Sequence, residues 1–187
     1  MRFEKKEITL KNGRKAILRN PITDDAEQLI RHLQITCGET DFLTHYPEEY
    51  DAMTVENEKK WITNRVDSPN ILAICCEVEG RIAGTCHVRF FDKIKTRHRA
   101  SVGISIEKLY WNLGIGSAMF AELIAAAKAH GTEIMELEFV EGNSRALHLY
   151  EKFGFSVVSE KPNAFKLKDG TYLSEFYMQK HFVVKMH

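Results

Sequence analysis

Apolar residues recur at the three- and four-residue spacing of an amphipathic helix in three stretches of the chain. The first follows Pro21 and Thr23, and its expected buried face is Ala26, Leu29, Ile30 and Leu33. The second follows Thr54, a favourable N-cap residue, and its apolar positions are Val55, Trp61, Ile62 and Val66. The third lies within residues 110–131, and its face is Ile115, Met119, Phe120, Leu123 and Ala127. Each stretch predicts a helix with one buried face.

Strand-like runs fill the chain between these helices. The turn pairs Asn12-Gly13 and Glu79-Gly80 each predict a hairpin, and Asp169-Gly170 turns into the last strand. A short helix is expected after the strand IMELEFV and should stop at Gly154. The predicted order is β-β-α-α-β-β-β-α-β-α-β-β. We expect one α+β domain over residues 1–187, with a mixed, mostly antiparallel sheet flanked by helices.

Composition narrows the function. The chain has 26 basic and 26 acidic residues, so its charge does not favour nucleic acid as a partner. No apolar run reaches the roughly 20 residues that span a bilayer, and no signal-peptide core follows Met1, so we expect a cytoplasmic protein without a membrane partner. The four cysteines lack the paired spacing of a zinc site, and Cys75 and Cys76 should point to opposite faces of a strand. We therefore expect free thiols and no metal.

Two glycines, Gly114 and Gly116, stand at the start of the third helix, although glycine weakens a helix by roughly 1 kcal/mol relative to alanine. The first amides of a helix lack partners inside it, and the helix dipole makes this end positive. Glycine would let an anion approach the backbone, so residues 112–117 are a candidate cradle for a pyrophosphate. A tight turn with close helix–sheet packing favours glycine equally, and this fragment leaves both interpretations open.

Two common phosphate motifs fit poorly. A P-loop requires Lys followed by Ser or Thr after its second glycine, whereas Ser117-Ala118 follow Gly116. A dinucleotide fingerprint requires a third glycine, where this chain has Met119. The predicted antiparallel meander before the helix also argues against a doubly wound sheet, and hence against a nucleotide-dependent oxidoreductase.

A second motif lies one strand beyond the glycine helix, in LEFVEGNSRALHLYEKFGF (137–155). Together the two segments resemble the acyl-CoA-binding core of the GCN5-related N-acetyltransferase (GNAT) family. The matching residues are Gly114, Gly116, Asn143, Ala146, Leu149, Tyr150, Gly154 and Phe155. The predicted order of elements also matches over nearly the whole chain. One departure is Trp111, which stands where the family usually has Gln or Arg.

The resemblance implies a site for acetyl-CoA as cosubstrate. In this family the strand GISI splays from the strand IMELEFV, so the pantetheine arm would bond to the backbone of Ile104, Ser105 and Ile106. The pyrophosphate would lie on the backbone of Asn112, Leu113, Gly114, Ile115, Gly116 and Ser117. Asn143 is expected to cap the short helix and to contact the cofactor arm.

The resemblance also implies the catalytic groups. The Tyr150 hydroxyl would protonate the leaving thiolate as general acid. Glu138 matches a glutamate that serves as general base in some relatives, and its place in a strand lets it face either the cleft or solvent. Apart from the resemblance, His87 is either an alternative base that would act through a water or a structural histidine. An alkylammonium has a pKa of about 10.4 and must lose a proton before its nitrogen can attack.

We therefore expect an acyltransferase, an acetyl-CoA-dependent N-acetyltransferase acting on a small-molecule or peptide amine by direct attack. The alternative is a non-catalytic acyl-CoA-binding or sensing module on the same fold. A small cationic amine is the expected acceptor, because carboxylates and aromatic residues alternate in a segment taken to wall the cleft. These include Glu39, Asp41, Phe42, Tyr46, Glu48, Glu49, Tyr50 and Asp51. A homodimer is compatible with the resemblance, since dimers are common among relatives.

Overall fold

The computed structural model describes residues 1–182. Its strands are β1 (Lys6–Thr9), β2 (Lys15–Arg19), β3 (Ile71–Val78), β4 (Arg81–Phe90), β5 (Arg99–Ile106), β6 (Ile134–Val140), β7 (Ser156–Lys166) and β8 (Tyr172–His181). Its α-helices are α1 (Ala26–Glu39), α2 (Val55–Asp67), α3 (Ile115–His130) and α4 (Ser144–Lys152). Short 3₁₀ turns precede α1, α2 and α3 at Thr23–Asp25, Pro47–Tyr50 and Lys108–Tyr110. The predicted order of helices and strands is confirmed.

The strands form one eight-stranded sheet in the order β1-β2-β3-β4-β5-β6-β8-β7. Every neighbouring pair is antiparallel except β5 and β6, which run parallel. The two are parallel because α3 crosses over between them, whereas hairpins join most of the other pairs. The α+β class expected from the sequence is thereby confirmed.

Helices cover both faces of the sheet. The larger core lies between the sheet and α3, and Phe120, Met119 and Leu123 are fully buried there. A smaller core lies under α1 and α2, around Leu29 and Ile62. The alternation of β3 sends Cys76 into the first core and Cys75 into the second, as predicted.

The buried face of α1 differs from the prediction. Ala26 and Leu29 are buried as expected, but Ile30 and Leu33 are only partly buried. The remaining buried positions are His32, Thr36 and Cys37. The buried face is rotated because part of α1 lies over polar side chains of β5 and not over an apolar core. His32, for example, contacts Ser105 there.

Local sequence signals account for where α2 begins and where α4 ends. The Thr54 side chain accepts a 3.2 Å hydrogen bond from the backbone N–H of Asn57 and so caps α2. Helix α4 ends before Gly154, whose φ of +80° is in the left-handed region that glycine tolerates.

Candidate active site

The sheet opens where β5 and β6 diverge. The two strands pair only over Arg99–Ser101 and Ile134–Glu136, and beyond these residues each strand has an unpaired edge facing the other. A cleft of about 1080 Å³ lies at the opening. It is bordered by the segment after α1, by β5 and β6, and by the amino-terminal ends of α3 and α4. Unpaired backbone in an open edge requires a hydrogen-bonding partner, which a bound ligand can supply.

The loop into α3 adds a second set of unpaired groups. Asn112 and Gly114 both have left-handed φ values, +63° and +96°. Gly114 is the N-cap of α3 and offers no side chain to the first turn. Among the described residues, none of the backbone N–H groups of 112–117 donates a hydrogen bond. An anion could accept hydrogen bonds from these free N–H groups, and the expected pyrophosphate cradle stays a prediction.

Glycine is required at Gly114 and at Gly116 for different physical reasons. A side chain at Gly114 would be strained because of its φ, although the nearest atom to an added Cβ is Lys11 Cγ at 3.9 Å. At Gly116 an added Cβ would lie 3.2 Å from Leu149 Cδ2 and 3.4 Å from Ile106 Cδ1. Gly116 thus lets α3 pack closely against α4 and β5, which is the packing interpretation. Gly114 sets the direction of the loop.

Three basic residues border this helix start, and the sequence analysis missed them. Lys152 Nζ donates to Ser117 Oγ at 3.0 Å, and Arg145 Nη1 donates to Asn112 Oδ1 at 2.5 Å. Lys11 lies in the first hairpin, and its backbone N–H donates to the Leu113 carbonyl. All three line the cleft. Lys11 lies in the first hairpin and the other two lie on α4, so the three come from two distant elements and no single local motif joined them.

The side chains of β5 alternate across the cleft. Ile104 and Ile106 pack toward α3, whereas Ser105 faces α1 and bonds to His32. The Ile106 carbonyl, which was expected to bind the pantetheine arm, already accepts a 2.7 Å hydrogen bond from Trp111 Nε1. Beyond the last β5–β6 pair, Ile104 presents its backbone groups to the opening, whereas the backbone of Ser105 pairs with Thr85 on β4.

Asn143 has the capping role expected of it. Its Oδ1 accepts a 3.1 Å hydrogen bond from the Ala146 N–H at the start of α4. The residue also lines the cleft, so its amide nitrogen is available to a ligand there.

Tyr150 lies on α4 with its ring in the larger core. It is 6% exposed, and the rings of Phe120 and Phe139 lie 5.3 Å and 6.2 Å from it. Burial raises the pKa of Tyr150 to about 12, so its hydroxyl carries a proton at neutral pH. No described residue bonds to this hydroxyl, and the residue lines the cleft. It is a proton donor without a protein partner.

Glu138 lines the same cleft from the other face of the sheet. It neighbours Phe139 on β6, and because Phe139 packs toward Tyr150, Glu138 points away from it. Burial raises the pKa of Glu138, and the nearby Glu175 carboxylate raises it further. A carboxylate whose pKa is raised binds a proton more readily near neutral pH.

His87, the alternative base, also faces the cleft. Burial, then the charges of Arg65 and Arg89, lower its pKa to about 4, so the ring is neutral at physiological pH. An added Cβ at Gly103 would lie 2.7 Å from His87 Cε1, so the ring packs directly on the β5 backbone.

The acceptor side of the cleft differs from the expected acidic wall. Glu39 and Phe42 line it, but Glu48 and Glu49 do not. Glu48 forms an ion pair with Lys168, and Glu49 accepts a hydrogen bond from the Tyr46 backbone. The charged groups that the sequence analysis missed here are Glu175 and Arg65.

Within residues 1–182, no group of histidine, cysteine or acidic side chains has the arrangement of a metal site. In the same part of the chain, no helix is long and apolar enough to cross a membrane.

The splayed strands and the helix start border one cleft with unpaired backbone groups, and comparison with known proteins identifies the family. Residues 29–155 match the acetyltransferase (GNAT) family, so this chain belongs to that family and is an acyltransferase. Members of the family use acetyl-CoA. The resemblance drawn from the two sequence motifs is confirmed, as is the expectation of an enzyme.

Three similar proteins illustrate the match. The L-amino acid N-acetyltransferase AaaT of Escherichia coli (strain K12) is 23% identical, over 82% of this chain and 97% of that protein. A GNAT-family acetyltransferase of Streptococcus pneumoniae superposes with a TM-score of 0.82 at 27% identity, covering 89% and 99% of the two chains. The protein yncA of Salmonella typhimurium, solved with its cofactor acetyl-CoA, has a TM-score of 0.76 at 16% identity, covering 91% and 95%.

Proposed function

We propose that this protein transfers the acetyl group of acetyl-CoA to a primary amine by direct attack of the amine nitrogen. The divergence of β5 from β6 carries the proposal, because it leaves an unpaired strand edge beside a helix start with unbonded N–H groups. The amides of a pantetheine arm would complete the edge, and a pyrophosphate would accept from residues 112–117. Lys11, Arg145 and Lys152 would add positive charge for the phosphates.

Direct attack is favoured over an acyl-enzyme because no activated thiol is available among the described residues. Cys37 lines the cleft, but burial raises the pKa of its thiol. Burial also raises the pKa of Cys75 and Cys76, each to about 12. The thiolate is the reactive form of cysteine, and these environments suppress it.

We assign the two proton transfers to residues on opposite faces of the sheet. Bound acetyl-CoA supplies the thioester that is attacked and the thiolate that leaves. Tyr150 is protonated and faces the core side of the opening, so we assign it to protonate the departing sulfur. Glu138 faces the acceptor side and is accessible to solvent, so we assign it to take the first proton from the incoming ammonium.

A small cationic amine remains the proposed acceptor, but different carboxylates support it. Glu138 and Glu175 line the cleft, and each raises the local concentration of cations there. Changing Glu175 to Gln should raise the KM for the amine severalfold with little change in acetyl-CoA affinity. Changing Glu48 to Gln is the matched control and should leave the KM unchanged, because Glu48 pairs with Lys168 outside the cleft.

One observation favours a second class of acceptor, an amine that also carries a carboxylate. The Arg65 guanidinium lines the acceptor side and stacks 4.2 Å from the Trp61 ring centroid. Within the described part of the chain, it forms no ion pair with a carboxylate. An arginine in this position can bind a carboxylate in bidentate geometry. One relative is named an L-amino acid N-acetyltransferase, which agrees with this class.

A turnover screen tests both the acetyl transfer and the class of acceptor. Thiol release from acetyl-CoA would be measured against amino acids, and against the amines that result when the same amino acids lose their carboxyl group. Arg65→Gln should raise the KM for an amino acid at least tenfold and leave the KM of its decarboxylated partner unchanged. Arg89→Gln, an exposed arginine that does not line the cleft, is the control. If none of the amines in either set causes thiol release, the proposed function itself is contradicted.

A further inference from the structure

Four polar side chains form a continuous connection from the interior of the protein to the cleft. His32 on α1 is fully buried, and its Nε2 lies 2.8 Å from Ser105 Oγ. Ser105 Oγ lies 3.1 Å from Thr85 Oγ1, and both residues line the cleft. On the other side of the ring, His32 Nδ1 lies 3.5 Å from Glu107 Oε1. A hydroxyl in the cleft is thereby connected to a buried carboxylate.

The charge of Glu107 fixes the direction of these bonds. Glu107 is 2% exposed, and its Oε2 accepts a 2.6 Å hydrogen bond from Arg81. Burial alone would raise the pKa of Glu107, but His32 and Arg81 outweigh it and lower the pKa, so the group is a carboxylate. A carboxylate beside Nδ1 favours a proton on that nitrogen, which leaves Nε2 to accept from the Ser105 hydroxyl. His32 Nδ1 forms no hydrogen bond with a described residue, so Glu107, 3.5 Å away, acts on this nitrogen through its charge.

Ser105 lies on the acceptor side of the opening. Ser101 pairs with Glu136 at the end of the β5–β6 ladder, so counting four residues along β5 and two along β6 puts Ser105 and Glu138 on the same face. The opposite face of β5 carries Ile104 and Ile106, which pack toward α3. The Ser105 hydroxyl is therefore on the side from which the amine approaches, away from Tyr150.

Two protons leave the amine nitrogen on that side. An ammonium nitrogen loses one proton before it attacks and a second after the nitrogen–carbon bond forms. Glu138 is exposed and can return the first proton to solvent. A second acceptor within hydrogen-bond reach can take the second proton without waiting for Glu138 to be regenerated, and a hydroxyl bonded to a histidine is a common means of proton transfer.

We propose that Ser105 is a catalytic residue that takes the second proton from the acylated nitrogen, with His32 and Glu107 as its positioning residues. The proton passes to Ser105 Oγ as the Ser105 proton passes to His32 Nε2, and the electron pair of the broken N–H bond stays on nitrogen. Glu107 stabilises the resulting imidazolium. The proton returns through Ser105 to water once the product leaves. This inference rests on the proposed acetyl transfer.

Single-turnover rates with saturating acetyl-CoA and the best amine of the screen test the proposal. Ser105→Ala and His32→Gln should each lower the rate roughly 10²-fold, the scale of acid–base catalysis, with acceptor KM and acetyl-CoA affinity changed less than threefold. The double variant should be no slower than either single variant, because the two residues act as one unit. Ser101→Ala changes the same residue type on the same face of β5, where the strands still pair, and should retain the wild-type rate.

Two further measurements separate catalysis from structure. The pH–rate profile of wild type should contain a limb that disappears in His32→Gln, and Glu107→Gln should shift it. The charged groups that face this ring are Glu107 directly and Arg81 through Glu107. Nitrogen NMR of the resting protein should show His32 protonated at Nδ1, with a change at Nε2 in Ser105→Ala. If the buried His32 variant does not fold, Ser105→Ala decides the question, since it removes only one oxygen beside the cleft.

Wild-type single-turnover rates in Ser105→Ala would overturn the inference while leaving the acetyltransferase function intact. Additive losses in the double variant, or an unchanged pH profile in His32→Gln, would also overturn it. If the wild-type protein acetylates no amine, the proposed function fails first and this inference falls with it.

Discussion

The Trp111 indole N–H donates a 2.7 Å hydrogen bond to the Ile106 carbonyl and so ties the end of β5 to the loop before α3. Arg145 stacks on the outer face of the same ring, 4.4 Å from its centroid. The related pattern usually has Gln or Arg at this position, and all three side chains share an N–H donor. In this chain the donor holds the splayed strand against the helix start.

Trp111→Phe tests this role by removing the donor while keeping an aromatic ring under Arg145. Loss of one neutral hydrogen bond costs about 0.5–1.5 kcal/mol, so acetyl-CoA should bind roughly two- to tenfold more weakly. Calorimetric titration measures the change. Trp61→Phe, on α2 at the acceptor side, should leave acetyl-CoA affinity unchanged. Equal affinities in wild type and Trp111→Phe would mean that the bond does not support cofactor binding.

Gly114→Ala should weaken acetyl-CoA binding by more than its effect on stability explains. Gly114 has a φ of +96°, where alanine is strained by roughly 1–2 kcal/mol, and relief of the strain would redirect the unbonded N–H groups of the helix start. We expect at least tenfold weaker binding by calorimetry. Gly131→Ala is a matched control at the other end of α3, because its φ is +80° and its added Cβ would meet no atom within 4 Å. It should lower the melting temperature by a similar amount without changing affinity. Equal affinity losses in both variants would contradict the cradle.

Tyr150→Phe should retain acetyl-CoA affinity and lower turnover roughly 10²- to 10⁴-fold, as expected for loss of a general acid. Burial raises the pKa of Tyr150 to about 12, so the wild-type hydroxyl is protonated over the whole working pH range and should produce no limb below pH 10. Steady-state and single-turnover rates measure the effect. Tyr110→Phe alters another buried tyrosine and serves as the control. A single-turnover rate equal to wild type would remove Tyr150 from the mechanism.

Much of the fold was predictable because its signals are local. Asn12-Gly13 and Glu79-Gly80 mark hairpins by backbone conformation alone, with φ of +85° at Gly13 and +79° at Gly80. The start of α3 combines a left-handed glycine with an apolar helical stripe, and the glycine and the stripe were both visible in the sequence. These features depend on residues that are near neighbours in the chain.

The acceptor side was less predictable because its contacts join distant segments. His32 is buried although its position was not in the predicted stripe, and its partner Ser105 lies 73 residues away. Glu48 was predicted to belong to an acidic wall of the cleft, but it pairs with Lys168 of the β7–β8 hairpin outside the cleft. Apolar periodicity cannot report either pairing, since both depend on which polar groups the sheet brings together.

His87 makes the stability of the protein depend on pH in a definite direction. Burial, then Arg65 and Arg89, lower its pKa from 6.5 to about 4, so between these pH values the unfolded chain takes up a proton that the folded protein does not. Unfolding free energy should therefore be highest above pH 6.5 and fall as the pH drops toward 4, by roughly 1–2 kcal/mol between pH 7 and pH 5. Urea unfolding at these two pH values measures the loss. In His87→Gln this part of the loss should disappear, whereas His148→Gln, at an exposed position on α4, should retain it. If the loss is the same in wild type and His87→Gln, the acid sensitivity has another origin and His87 does not carry it.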